Sequence, residues 1–87
     1  MPRIEKEIIV KSQQGLHARP AALFVQAAVK YDSSLTLKKD NESVNGKSIM
    51  GILMLGIQQN TKIILIAEGD DAALLMEELE AFLNKNE

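Results

Sequence analysis

An α+β fold, an open-faced two-layer sandwich with elements in the order β-α-β-β-α-β-α, is predicted by three features of the 87-residue sequence. Runs rich in β-branched residues at Ile4 to Val10 and Lys62 to Ala67 suit strands. Apolar stripes at helical spacing fill Ala18 to Lys30 and Ala72 to Leu83. Two short alternating segments then stand side by side around Asp40-Asn41, as a hairpin requires. Consecutive strands in this order call for an antiparallel or mixed sheet with helices on one face. The length, with 46% hydrophobic residues, fits a single domain spanning 1–87 around one core.

The first strand, Ile4 to Val10, puts Ile4, Ile8 and Val10 on one face with Lys6 between them, and Glu5 and Glu7 on the other. Lys11 to Leu16 is a polar loop containing Gly15. In the first helix, Ala21, Phe24, Val25, Ala28 and Val29 make the core stripe. Tyr31 to Ser33 breaks the chain, Leu35 and Leu37 alternate with Thr36 and Lys38 as strand two, and Ser43 to Asn45 is a short strand three. Ser48 is placed to cap a second helix, Ile49 to Met54, whose apolar residues occupy nearly every face, so that it cannot bury them all. Its Met50 and Met54 at i, i+4 suit either the core or a docking surface. Gly56 is a C-cap, Gln58 to Asn60 a loop, and Lys62 to Ala67 a central fourth strand. Gly69-Asp70-Asp71 turns the chain and caps the last helix. There Ala72, Leu75, Leu79, Phe82 and Leu83 face the core, and acidic residues at the start with Lys85 near the end suit the dipole.

Composition closes off several functions. Without cysteine there is no disulfide framework or thiolate metal site, and one histidine leaves a zinc cluster almost no ligands; no metal or cofactor is expected. A net charge of −2 with three aromatic residues is a poor balance for nucleic acid. No apolar run reaches the length of a signal or a membrane span, so the protein is expected in the cytoplasm, with no membrane insertion.

The chemistry concentrates in Gly15-Leu16-His17-Ala18-Arg19-Pro20-Ala21. Pro20 has no N–H and a φ preset near the helical value, so it belongs to a first helical turn and places the helix start near Ala18. His17 then stands where backbone amides lack intrahelical partners and the dipole is positive, a ready anion site. Arg19 adds a guanidinium that can fork onto phosphate oxygens, Gly15 permits a left-handed loop, and the imidazole supplies a nucleophilic nitrogen. A lone histidine before a helix is also, commonly, just a surface or capping residue.

The second informative segment is Val44-Asn45-Gly46-Lys47-Ser48-Ile49-Met50-Gly51. Together, and at this separation, the two segments resemble those of the HPr family, the histidine-containing phosphocarriers of the bacterial phosphoenolpyruvate:sugar phosphotransferase system. The resemblance covers essentially the whole chain. It implies a four-stranded antiparallel sheet in the order 1-4-2-3 with three helices on one side, and a monomeric carrier rather than an enzyme. By position, His17 would accept a phosphoryl group on Nδ1 from enzyme I and pass it to sugar-specific enzyme IIA domains. Arg19 would stabilise that group, with backbone N–H groups of Ala18 and Arg19 as donors. Ser48 would be the target of an HPr kinase/phosphorylase, in a segment more like the Gram-positive type than the enteric one. Ile49, Met50 and Leu53 would dock partners, extending to a catabolite-control transcription factor. Gln14 and Leu53 depart from residues common in the family. A regulatory paralogue of the Crh type shares the serine segment but lacks the histidine; a nitrogen-branch phosphocarrier keeps the histidine but usually lacks this serine segment.

Overall fold

The computed structural model describes residues 1–85. In chain order it contains β1 (Arg3–Ile9), α1 (Ala18–Ala28), β2 (Ser34–Lys39), β3 (Glu42–Asn45), α2 (Ile49–Met54), β4 (Lys62–Glu68) and α3 (Ala72–Leu83). The strands form one sheet in the order β1-β4-β2-β3, and every pairing is antiparallel. This is the order, strand direction and helix count that the family resemblance implies.

Register explains why one sheet face is dry. Ile8 lies opposite Ile63, Lys6 opposite Leu65, and Leu65 in turn opposite Leu37, which pairs with Val44. Because side chains alternate across a strand, these residues share the face that the helices cover, while Glu5, Glu7, Ile64, Ile66, Thr36 and Lys38 share the other. Lys6 places a charge in this inner row. Its ammonium escapes to the rim and pairs with Glu80 of α3 at 2.7 Å.

Phe24 of α1 meets Phe82 of α3 edge to face, with ring centroids 6.1 Å apart, so the two long helices lock together over the sheet. Two core residues lie in what reads as loop: Leu16 and Ile57 are both buried. Met76 is buried in α3 beside the expected stripe, whereas Phe82 is half-buried.

Three expectations need correction. α1 ends at Ala28 rather than Lys30, and Val29, at its C-cap, is exposed instead of joining the core. Asp71 stands at the N-cap of α3, yet its side chain makes no capping bond. It accepts instead from the backbone N–H groups of Asp32 and Ser33, each at 2.9 Å, and from the Ser33 hydroxyl. Ser33 is buried, so leaving its donors unmet would cost more than leaving one exposed helix amide to water, and the carboxylate goes to the costlier need. Lys85 lies beyond the Asn84 C-cap, and no basic residue occupies the last turn of α3.

Candidate functional site

The loop before α1 is held from below by the chain leaving α2. Gly15 adopts φ +61°, and a Cβ there would lie 2.7 Å from Gln58 Cα, so the position tolerates only glycine without displacement. The next amide, Leu16 N–H, donates to the Ile57 carbonyl at 3.0 Å, and the Leu16 side chain plugs into the core. With Leu16 fixed, His17 is delivered to the surface.

His17 is the N-cap of α1 by backbone geometry, with φ −72° and ψ −173°, and its carbonyl accepts from Ala21 N–H at 2.8 Å. Its imidazole makes no capping bond. The ring is therefore exposed, beside a shallow polar basin formed with Gln13, Gln14, Gln58 and Gln59. Ala18 and Arg19 follow in the first turn, where a helix offers its amides no internal acceptor.

Arg19 is exposed and, among the described residues, makes no ion pair or side-chain hydrogen bond. It borders a separate cleft of about 230 Å³ floored by Leu16, Leu23, Phe82 and Leu83. His17 and Arg19 thus share one helix terminus but face different hollows. An anion bound over the first turn is what would draw the guanidinium across.

Ser48 caps α2 as expected: its Oγ accepts from Gly51 N–H at 3.0 Å, and its carbonyl accepts from Ile52 N–H at 3.1 Å. A six-residue helix has negligible stability alone and depends on such anchors. Lys47 Nζ donates to the Tyr31 carbonyl at 2.7 Å, tying the helix entrance to the end of α1. Lys39 Nζ donates to the Leu55 carbonyl at 2.9 Å at the other end, where the dipole is negative. Gly56 then leaves the helix at φ +62°.

On α2, Ile52 points inward and Leu53 is half-buried against the core, while Ile49 is 39%, Met50 67% and Met54 79% exposed. The open patch is therefore Ile49, Met50 and Met54, with Leu53 at its base. Sequence reading passed over Gln13, Gln58 and Gln59. The last two come from a loop far along the chain, which backbone bonds from Leu16 to Ile57 and between Val10 and Asn60–Thr61 bring beside His17.

Away from this end, Glu78 accepts from Lys30 Nζ at 2.7 Å and from the Tyr31 hydroxyl at 2.5 Å. Those bonds, Lys30 first, hold its carboxyl below the ordinary range, and the same bond chiefly raises the Tyr31 phenol. Among the described residues no group of three His, Cys, Asp or Glu side chains could hold a metal ion, and no helix is long and apolar enough to cross a membrane.

Residues 4–85 match the family model described as the PTS HPr component phosphorylation site. The chain belongs to the HPr family of the phosphotransferase system, a family of phosphocarriers and HPr-like proteins rather than catalytic enzymes. It is 49% identical to the HPr-like protein Crh of Halalkalibacterium halodurans, over 94% of this chain and 98% of that one. Among solved structures, the phosphocarrier protein HPr of Bacillus anthracis superposes with a TM-score of 0.93 at 40% identity, covering 97% of this chain and all of the other. Crh of Bacillus subtilis, solved as a dimer with a swapped domain, superposes with a TM-score of 0.77 at 41% identity over 95% of each chain.

Proposed function

We propose that this chain accepts a phosphoryl group from phosphorylated enzyme I on His17 Nδ1 and passes it to sugar-specific enzyme IIA domains. The observation that carries the reading is the exposed His17 at the open N-terminus of α1, with Arg19, which has no side-chain partner among the described residues, two residues on. An in-line attack needs an accessible nucleophile, and the imidazole is accessible because Leu16, not His17, anchors the loop. The transferred group meets the first-turn amides of Ala18 and Arg19 and the dipole's positive end, and Arg19 neutralises its charge. No chemistry is asked of the carrier beyond holding the group and releasing it.

Ser48 is, in this reading, the acceptor for an HPr kinase/phosphorylase. A phosphate there sits on an N-cap that already faces Gly51 N–H, so the fold persists, while the added charge lies beside Ile49 and Met50 and disfavours docking. The same charge offers a contact to a basic groove, such as that of a catabolite-control transcription factor. The carrier acts in the cytoplasm, where its phosphoryl donor is made.

A Crh-type regulator is the second reading, favoured by the 49% identity to Crh. His17 speaks against it, since the Crh pattern lacks that histidine. The carrier is read as a monomer; the Crh dimer makes sedimentation of the pure protein the check on that point. The function itself is tested by incubating the chain with enzyme I, phosphoenolpyruvate and Mg²⁺ and weighing it. A gain of one phosphoryl group, discharged on adding an enzyme IIA domain, is expected; no gain in mass leaves the Crh-type reading in its place.

A further inference from the structure

The four methionines of the chain divide sharply by environment. Met76 is sealed in the core at 2% exposure, whereas Met1, Met50 and Met54 are 89%, 67% and 79% exposed. Met50 and Met54 stand at i, i+4 on α2, so their thioethers share one patch with Ile49. That patch leads through Leu55 and Gly56 to Ile57, whose carbonyl holds the Leu16 amide beside His17. Met1 lies elsewhere, bordering a hollow with Asp32 and Leu74.

We propose that Met50 and Met54 are sites of reversible oxidation by hydrogen peroxide, and that their sulfoxides weaken docking of the phosphoryl donor on α2. In each step the sulfur lone pair attacks one peroxide oxygen and an S–O bond forms as the O–O bond breaks. The departing hydroxide takes the proton of the transferred oxygen and leaves as water, so that sulfur is oxidised and peroxide reduced. The free domain absorbs the change. Both side chains already face water, and α2 is anchored by groups that oxidation does not touch: buried Ile52, the Ser48 cap and the Lys39 ammonium. A docked partner does not absorb it, because the new oxygen must be stripped of water against an apolar surface.

The proposal rests on the reading of α2 as the docking element, and the test separates the two. Native protein is treated with hydrogen peroxide, its oxidised residues are located by peptide mass, and phosphorylation by enzyme I is timed. Oxygen should appear on Met1, Met50 and Met54 but not Met76, with the melting curve retained. The apparent KM for enzyme I should rise about fivefold, the scale of losing one good apolar contact, with kcat kept. Methionine sulfoxide reductase should reverse the rise. In a Met50→Leu/Met54→Leu protein the KM, whatever its starting value, should not respond to peroxide. An unchanged KM with both residues fully oxidised overturns the proposal, as does an equal response in the double variant, which would point to Met1. Unoxidised Met50→Asp reports on docking alone: a raised KM there with no effect of oxidation sinks only the oxidation step, while no effect in either sinks the docking role.

Discussion

Replacing Gly15 by alanine should damage this domain far more than the same change at Gly56, although the two backbones are nearly identical. Gly15 has φ +61° and Gly56 φ +62°, so an alanine at either meets the same left-handed penalty. That penalty, partly offset by the stiffer unfolded chain, amounts to about 1 kcal/mol. The surroundings differ. At Gly56 a Cβ has nothing within 4 Å, but at Gly15 it would press on the Ile57 carbonyl and lie 2.7 Å from Gln58 Cα. Backbone cannot swing aside like a side chain, so the loop must lift and stretch the 3.0 Å bond from Leu16 N–H to Ile57. Overpacking of this kind and the weakened bond add about 1–3 kcal/mol. For a domain of this size each kcal/mol lowers Tm by roughly 4–8 °C. Thermal melts followed by circular dichroism should therefore place Gly15→Ala at least about 4 °C below Gly56→Ala. The displaced loop carries His17, so phosphorylation by enzyme I should also fall in Gly15→Ala by more than the unfolded fraction explains. Equal melting temperatures would refute the claim that contact with the Ile57–Gln58 backbone fixes this loop.

Arg19→Ala removes an exposed guanidinium without protein partners among the described residues, so Tm should hold while kcat/KM for phosphotransfer falls about ten- to a hundredfold; a lowered Tm with normal transfer would make Arg19 structural. Ser48→Ala should lose about 1 kcal/mol of stability with its cap yet transfer nearly normally and resist an HPr kinase, while Ser48→Asp should stay folded and raise the KM for enzyme I. Unchanged kinetics in the aspartate variant and in the kinase-phosphorylated protein would leave Ser48 a capping residue. Acid should weaken the fold through Asp71, whose carboxyl is held low chiefly by the Ser33 hydroxyl and then by Asp32 N–H, and through Glu78, held low chiefly by Lys30 and then by Tyr31. Because their folded values lie below the unfolded ones, this stabilisation is present above the ordinary carboxylate range and is lost as pH falls below about 4. Asp71→Asn should flatten that acid limb of the Tm profile, and an unchanged limb would contradict the assignment.

Much of this architecture is legible in local pattern. Lys62 to Ala67 reads as an unbroken β-branched run suited to a central strand, the place β4 takes in the sheet, and Ser48 announces α2 by its capping chemistry. Strand order is not local. It came from the family resemblance, because nothing within β1 or β2 states that β4 will lie between them. The burial of Leu16 and Ile57 is not legible locally, because Leu16 stands alone in a polar loop and Ile57 lies past the Gly56 that ends the helical pattern; their mutual backbone bond shows that they fold together. Val29 fits the helical stripe by spacing, yet it stands exposed at the C-cap of α1 although its N–H still bonds the Val25 carbonyl. Asp71 was legible as an acidic group at a helix start, yet its partner Ser33 lies 38 positions back, beyond the reach of any capping rule. At the site, His17 and Arg19 were visible from their spacing around Pro20, whereas Gln58 and Gln59 arrive only through tertiary packing.

The central claim, that His17 is the phosphoryl acceptor, is met most directly by phosphorylating the wild-type chain and His17→Ala side by side with enzyme I and phosphoenolpyruvate. The histidine is exposed and its ring holds no capping bond, so the variant should fold as the parent does. Wild-type protein should gain one phosphoryl group that is lost in mild acid, as a phosphoramidate is and a phosphoserine is not, and His17→Ala should gain none. An acid-stable label on the wild type, or phosphate still accepted by His17→Ala, would contradict the account.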